Sequence, residues 1–463
     1  MFDAKIYSQR RQQLKERLGS GLLLFQGNDE SPMNYPGNPY HFRQDSSFLY
    51  FFGLDSPGLA GLVDVDAGRD ILFGDDLSVD DIIWMGDQPL FKDRALAVGV
   101  KDTQPSAELK DTIKAAIQAG RKIHFLPPYR AQNVMKLGDL LGLRNGQVKD
   151  YVSEPLIKAV VEQRSVKIAE EIAQIEAALA VAYEMHTTAM RMTKPGLLES
   201  EIAGRVEGVA LSQGGYVAFP VILTINGQIL HNHYHGNRLE KGRLLVNDSG
   251  AETAMGYSSD ITRTFPVSGT FSEKQKDIYN LVLQAQTTAI EAIGPGVKNK
   301  EIHLKAVTVI ASGLKELGLM QGDVEGAVKA GAHALFMPHG LGHMMGLDVH
   351  DMEDLGENFV GYDKSIKRSD QFGLAYLRLA RELQPGYVLT VEPGIYFIPA
   401  LIEKWAKEQK FTDYINYDRV NSYLDFGGVR IEDNVLVTES GSLVLGKSVP
   451  KTVEELEDIV GSG

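Results

Sequence analysis

Through its first 160 residues the chain alternates short apolar runs with stretches of helical period. The runs GLLLF (21–25), GLAGLVDV (58–65), RDILFG (69–74) and KIHFL (122–126) have the length and bounding residues of strands. SAELKDTIKAAIQAG (106–120) has the spacing of a surface helix, and the alternation predicts a self-contained α/β domain. A long amphipathic helix follows. Ile168, Ile172, Ile175, Leu179, Ala182, His186 and Ala189 recur at steps of four and three, and the stripe stops at the breaker pair Pro195-Gly196. His186 lies on the stripe and reads as a packed helix residue rather than a ligand. The start of this helix divides the chain into an N-terminal domain, 1–163, and a second domain, 164–463.

The second domain echoes itself. Pro195-Gly196 followed by Glu201-Ile202 recurs 100 residues later as Pro295-Gly296 followed by Glu301-Ile302. The helix before the later copy opens with a capping-box pattern, Ser272-x-x-Gln275. A second echo is offset by 144 residues: Leu239-x-x-Gly242-x5-Asp248-x-Gly250 matches Leu383-x-x-Gly386-x5-Glu392-x-Gly394. Together they predict two similar halves, each a helix pair plus a strand that delivers a carboxylate, related by a pseudo-twofold.

Four acids sit where strand chemistry does not ordinarily put them. Asp248 ends LLVND, Asp260 interrupts YSSDITRTF, Glu392 ends VLTVE, and Glu432 lies among the apolar residues of GGVRIEDNVLV. A carboxylate in a buried strand costs several kcal/mol unless it is paired or binds a metal. Taken singly, Asp248 reads as a turn residue, and Glu432 could pair with Arg430 two positions away on the same strand face. Taken together, and beside clustered imidazoles, the four predict a metal centre of two ions. Seven of the eleven histidines fall within 231–235 and 333–350. His339 and His343 have the spacing of a zinc helix. Gly340, Leu341 and Gly342 lie between them, however, so the segment PHGLGHMMGLDVHD (338–351) reads as a loop carrying one ligand. His231, His233 and His235 alternate on what reads as one strand face.

Composition narrows the chemistry. The chain of 463 residues has no cysteine, which excludes thiolate zinc sites, disulfides and cysteine nucleophiles. A formal charge of −14 argues against nucleic acid as a partner. No apolar run approaches a bilayer span, and the charged N-terminal stretch lacks the apolar core of a signal peptide, so a cytoplasmic protein away from membranes is expected. Oxygen ligands with an imidazole suit Mn²⁺, Co²⁺, Fe²⁺ or Zn²⁺. Two such ions sharing a carboxylate acidify a bridging water, which makes metal-assisted hydrolysis the favoured reaction class.

At these residues the chain resembles the pita-bread metallopeptidases (M24), and within them the Xaa-Pro aminopeptidase (aminopeptidase P) and prolidase group. The matching segments are DSGAETAMGYSSDITRTFPVSG, HGLGHMMGLDVHD, LTVEPGIY and GGVRIEDN, and YHFRQDSSFLYFFG (40–53) matches the group's N-domain. The resemblance implies a creatinase-like α/β N-terminal domain and an α+β pita-bread catalytic domain. It implies two divalent metal ions, manganese first with cobalt or zinc as alternatives, held by Asp248, Asp260, His343, Glu392 and Glu432. Asp260 and Glu432 would bridge, His343 and Glu392 would serve one ion, and Asp248 the other. His231, His339 and His350 would contact substrate and stabilise the tetrahedral intermediate, with Arg430 supporting the metal carboxylates. Trp84 resembles a tryptophan that reaches a neighbouring subunit's site, in a homodimer or homotetramer. Asp248 and Asp260 are twelve apart, one more than is usual in the family, with the extra residue assigned to the Thr253–Met255 turn.

The implied activity is hydroxide attack that removes the N-terminal residue from peptides with proline second. The alternative is a prolidase that cuts Xaa-Pro dipeptides only. A non-catalytic peptide-binding relative, a metal-free creatinase and a methionine aminopeptidase share the fold; retention of all five ligand positions opposes the first two and the large N-domain opposes the third. In the N-domain motif Phe48, Tyr50 and Phe52 are expected on a buried strand. Residues 353–380 are expected to be loop, and LIEKWAKEQK (401–410) a short helix with Leu401, Ile402 and Trp405 on one side.

Overall fold

The computed structural model describes residues 1–463. They form two compact units: Met1–Arg164 with Glu353–Phe359, and Ser165–Met352 with Val360–Gly463. The short excursion 353–359 differs from the expected division, which kept it with the second half. Asp354 lines a small recess with Phe125, Pro127 and Asn133 of the first unit.

In the first unit a five-stranded sheet runs in the order Asp102–Gln104, Arg69–Phe73, Ala60–Asp64, Leu22–Gln26, Ile123–Phe125. The three central strands pair antiparallel and each outer strand is parallel to its neighbour. Parallel pairing requires a crossover, and the helices Phe91–Ala97 and Glu108–Gln118 lie in the connections that reach the outer strands. On one face Leu24, Leu62, Ile71 and Phe73 pack with Ile113, Phe125 and Leu137.

The motif YHFRQDSSFLYFFG corrects the strand expectation: Ser46–Phe52 is a helix with all seven residues buried. Alternation was a weak guide because Leu49 and Phe51 are as apolar as their neighbours. The caps decide the structure. The Asp45 side chain accepts from the Phe48 amide, and Gly53 closes the helix in the left-handed conformation. The helix Ala4–Leu18 packs beside it and carries Arg11, which is fully buried. Its guanidinium bonds Asp70 at 2.9 Å and the carbonyls of Phe51, Val98 and Gly99.

The second unit contains two helix pairs, Ala169–Met192 with Glu199–Ser212 and Glu273–Glu291 with Asn299–Glu316. His186 is fully buried in the first, bonded to the Ser249 carbonyl and the Asn247 amide, as a packed helix residue. The sequence echoes correspond to matched backbone contacts. The Gly196 amide donates to the Leu239 carbonyl and the Gly296 amide to the Leu383 carbonyl, both at 2.9 Å. Glu199 donates to Asn237 as Asn299 does to Arg381, and Ser200 to His235 as Lys300 does to Ala380. Each half therefore locks the start of its second helix to the segment leading into its acidic strand.

The strands of this unit are Ile261–Pro266, Leu244–Ser249 and Ile222–Thr224 in one sheet, and Val388–Val391, Asp433–Val437 and Ser442–Val444 in another. Gly394–Tyr396 pairs with Gly428–Arg430. Residues 231–235 correct a further expectation: they form no strand. His235 bonds the Val221 carbonyl instead, and His233 is exposed. Within 353–380 the chain makes short helical turns at Glu353–Leu355, Glu357–Val360 and Leu374–Tyr376. The helix Pro399–Lys407 buries Ile402 and Trp405. No helix is long and apolar enough to cross a membrane.

Arg11 offers a direct check of the first unit. Arg11→Met removes a buried charge and leaves three carbonyls without their donor, so stability should fall by about 3–5 kcal/mol. Chemical denaturation followed by circular dichroism would register this as an earlier transition; an unchanged midpoint would contradict the account.

Candidate metal centre

Strand ends deliver the four acids to one place. Asp248 lies near the end of Leu244–Ser249, Asp260 immediately precedes Ile261–Pro266, and these strands pair antiparallel with Thr262 opposite Asp248. Glu392 directly follows Val388–Val391, and Glu432 lies between Gly428–Arg430 and Asp433–Val437. The two halves join here through backbone: the Glu432 amide donates to the Thr262 carbonyl at 3.0 Å. Asn434 holds Asp260 from both sides, accepting from its amide and donating to its carbonyl.

The loop carrying His343 is pressed onto the Glu392 strand. Its amide donates to Thr390 Oγ1, the Thr390 amide returns a bond to the His343 carbonyl, and the Glu392 amide donates to the Leu341 carbonyl. Gly342 makes this approach possible, since a Cβ there would stand 2.0 Å from the Thr390 carbonyl oxygen. The imidazole Nδ1 lies 3.1 Å from the Met344 carbonyl, which fixes the proton on that nitrogen and leaves the Nε2 lone pair facing the acids. Nε2 stands 3.4 Å from Asp260 and 3.9 Å from Glu392. One ligand atom each of Asp260, His343 and Glu432 lie within 4.8 Å of one another.

Crowding makes these carboxyls resist ionisation. Burial, then the Asp248 charge, pushes Asp260 far above the carboxylate range. Burial, then Asp260 and Glu392, does the same to Glu432. Glu392 is pushed up to about 8 by burial and the Asp260 and Asp248 charges, against the pull of Arg430 and Arg378. The Oδ1 atoms of Asp248 and Asp260 are buried without a hydrogen-bond partner. Converging oxygens, an oriented imidazole lone pair and two orphaned carboxylate oxygens fit divalent cations.

Arg430 does not pair with Glu432, the neighbour that strand alternation offered it. Its guanidinium reaches across to Asp248 at 2.5 Å, bonds Thr262 Oγ1 through Nε, and donates to the Tyr396 hydroxyl at 2.9 Å. Thr262 Oγ1 in turn donates to Glu432 at 2.7 Å. The Tyr396 hydroxyl stands 3.0 Å from His339 Nε2, while His339 Nδ1 faces the Gly340 carbonyl. Bonded in this way, Nδ1 carries the proton and Nε2 accepts from Tyr396. Burial, then the Arg430 charge, holds His339 down to about 4, so it is neutral at physiological pH.

His350 meets His343 edge to face, ring centres 4.2 Å apart and planes inclined at 63°. His231 is exposed at its surface, yet partial desolvation, then the Arg430 charge, holds it below its ordinary value, with Asp248 and His350 also acting on it. Trp84 belongs to the other unit, 85 % exposed on the helix Val79–Met85, none of whose residues is buried. Of the clustered histidines, His333 is not brought to the acids: it is buried beside His303, ring centres 6.5 Å apart. Sequence reasoning passed over Thr262, Tyr396, Asn434 and Arg378. Thr262 lies two residues after Asp260 and Asn434 two after Glu432, on the same strand faces, so the period of two was an available signal.

Comparison with known proteins agrees with this geometry. Residues 173–439 match metallopeptidase family M24, and residues 7–124 match the aminopeptidase P N-terminal domain. The Xaa-Pro dipeptidase of Homo sapiens is 33% identical, over 98% of this chain and 92% of that protein. A probable Xaa-Pro aminopeptidase of Botryotinia fuckeliana is also 33% identical, over 96% and 93%. Escherichia coli aminopeptidase P, in a structure with substrate, superposes with a TM-score of 0.81 at 29% identity, covering 99% of this chain and 98% of that one. The Pseudomonas aeruginosa aminopeptidase PepP gives 0.80 at 29% identity with the same coverage. The chain therefore belongs to metallopeptidase family M24, built as an aminopeptidase P-type N-terminal domain followed by a pita-bread catalytic domain.

Proposed function

We propose that this protein hydrolyses the amide bond before proline, using two divalent cations held by Asp248, Asp260, His343, Glu392 and Glu432. The observation that carries the reading is the buried acid cluster with the His343 lone pair aimed into it. When bound, the cations polarise the substrate carbonyl and acidify a water enough to serve as nucleophile near neutral pH. Manganese is the first choice for a set of hard oxygens with one imidazole.

The chain's own residues supply the rest. Arg430 fixes Asp248 and, through Tyr396, orients His339 with its Nδ1 proton committed to the Gly340 carbonyl. The Glu392 carboxylate, whose side chain keeps 21% of its surface open, takes the proton of the attacking water. That proton then passes to the departing proline nitrogen, which must gain one to leave as an amine. An Xaa-Pro bond offers no N–H and a fixed ring, so a site relying on strand-like docking would reject it. Imidazole walls from His231, His339 and His350 accept the ring without needing that donor. Asp260 is the partner for the substrate's free ammonium.

A second observation bears on substrate length. The charge of Arg378 acts on both Glu392 and His231, more weakly than the other groups around them. Proline's own carboxylate is free in a dipeptide and tied up in a longer peptide, and this charge favours the dipeptidase reading. A cytoplasmic setting and a homo-oligomeric state belong to the same proposal. The second is supported by Val79, Ile83, Trp84 and Met85, apolar side chains exposed together on one short helix.

Three measurements test the reading. His343→Ala and Glu432→Gln should each lower bound manganese and reduce kcat by more than about 100-fold with an unchanged circular dichroism spectrum. Near-normal kcat in either variant would refute the ligand assignment.

Substrate length is decided by Gly-Pro against Gly-Pro-Gly. Arg378→Met should lower kcat/KM for Gly-Pro by about 10–100-fold, the loss expected for a hydrogen bond to a charged group, and affect the tripeptide less. Equal losses on both would remove the argument for dipeptides.

The third concerns pH. In the metal-free fold Asp260, Glu392 and Glu432 titrate above their unfolded values, so their contribution to stability is present at low pH and lost as pH rises through the raised values, about 8 for Glu392. A cation must displace those protons. The stabilisation on adding manganese, read from the rise in Tm, should therefore grow between pH 6 and pH 8, by up to about 1.4 kcal/mol of unfolding free energy per pH unit for each proton released. A gain independent of pH would show that these acids are not the ligands.

A further inference from the structure

Lys167 and Asp351 form an ion pair outside the ligand set, each side chain only 1% exposed, with Nζ and Oδ2 2.9 Å apart. Neither residue is part of the acid cluster. The Lys167 backbone is itself anchored, its amide donating to the Gly386 carbonyl at 2.8 Å in the segment that enters the Glu392 strand. Asp351 directly follows His350 and closes the histidine loop. Its amide donates to the Met344 carbonyl at 2.9 Å, the same carbonyl that holds His343 Nδ1. One oxygen therefore ties the His343 ring to the far end of the loop, next to the His350 ring that meets it edge to face.

The loop is packed against the pair between these ends. At Gly346 an added Cβ would stand 2.7 Å from Asp351 Oδ2 and 2.9 Å from Lys167 Cε. The Gly346 carbonyl accepts from the Ser258 amide, two residues before Asp260. A buried ammonium thus sits against the loop, paired with Asp351, while the backbone on either side is bonded to the segments of Asp260 and Glu392.

The geometry points to Lys167 and Asp351 as a positioning pair that sets the place of His350 over His343 and hence over the substrate. This inference rests on the proposed Xaa-Pro hydrolysis. The pair touches no reacting atom and acts through His350.

The test is a double-mutant cycle on the manganese enzyme. The combined variant Lys167→Met/Asp351→Asn removes both charges together, so neither is left buried alone. Gly346→Ala presses on the same pair without removing a charge and decides the matter if the first variant does not fold. With manganese content equal to wild type, either should lower kcat on Gly-Pro by about 10–100-fold with little change in KM. Neither should lower turnover further in a His350→Ala background. Hydrogen exchange of the metal-free protein gives a readout independent of turnover: the Asp351 amide should lose about tenfold or more of its protection. Unchanged kcat, or losses that add to that of His350→Ala, would overturn the inference. Wild-type protein that cleaves no Xaa-Pro substrate would instead sink the functional reading. In that case the pair is judged by exchange alone, and retained Asp351 protection would overturn it as well.

Discussion

The catalytic unit depends on keeping several carboxylates close together where water does not screen them. Asp260, Glu392 and Glu432 are each driven toward the protonated form by burial and by one another. Left so, they would push the strands apart or hold protons. Two features of the fold make the arrangement tenable. Arg430 is itself opposed by burial, yet Tyr396, Asp248 and Glu392 hold its charge in place. Cations at the centre would satisfy the oxygens that no hydrogen bond reaches.

Rigidity around the acids follows from that requirement. Asn434 bonds the Asp260 backbone in both directions, Thr262 passes one hydroxyl between Arg430 and Glu432, and the Glu432 amide is tied to the strand of the other half. The duplicated build explains why acids far apart in sequence meet. Each half clamps the start of its second helix to the run leading into its acidic strand, so Asp248 and Glu392 arrive by equivalent routes. The histidine loop is the unduplicated element laid across this frame, and glycine at 342 lets it lie against the Thr390 backbone.

Much of this was legible in the chain. Carboxylates within or at the end of apolar strand segments are costly, and that cost marks Asp248, Asp260, Glu392 and Glu432 in the sequence itself. The echoes at offsets of 100 and 144 residues anticipated the paired halves. Less legible were features set by caps and by contacts across the fold. The aromatic run 46–52 alternates well enough for a strand, yet Asp45 and Gly53 cap it as a helix. His231, His233 and His235 looked equivalent, but the chain there is irregular: His235 bonds the Val221 carbonyl, while the Arg430 and Asp248 charges reach His231. Arg378 lay in a segment whose composition carried no signal.

The sequence by itself marked the acids that converge in one buried cluster, because burying charge without a partner is expensive wherever it occurs. It also determined the domain order and the repeat, because these are written in local periodicity and breaker pairs. Tertiary structure decided the pairings. Arg430 has Glu432 as its neighbour on the strand but reaches Asp248, 182 residues away. His339 owes its orientation to Tyr396, and Asp351 its burial to Lys167. Such choices depend on distances between elements that no spacing along the chain encodes. A guanidinium or an imidazole bonds whichever partner the packed strands bring within about 3 Å.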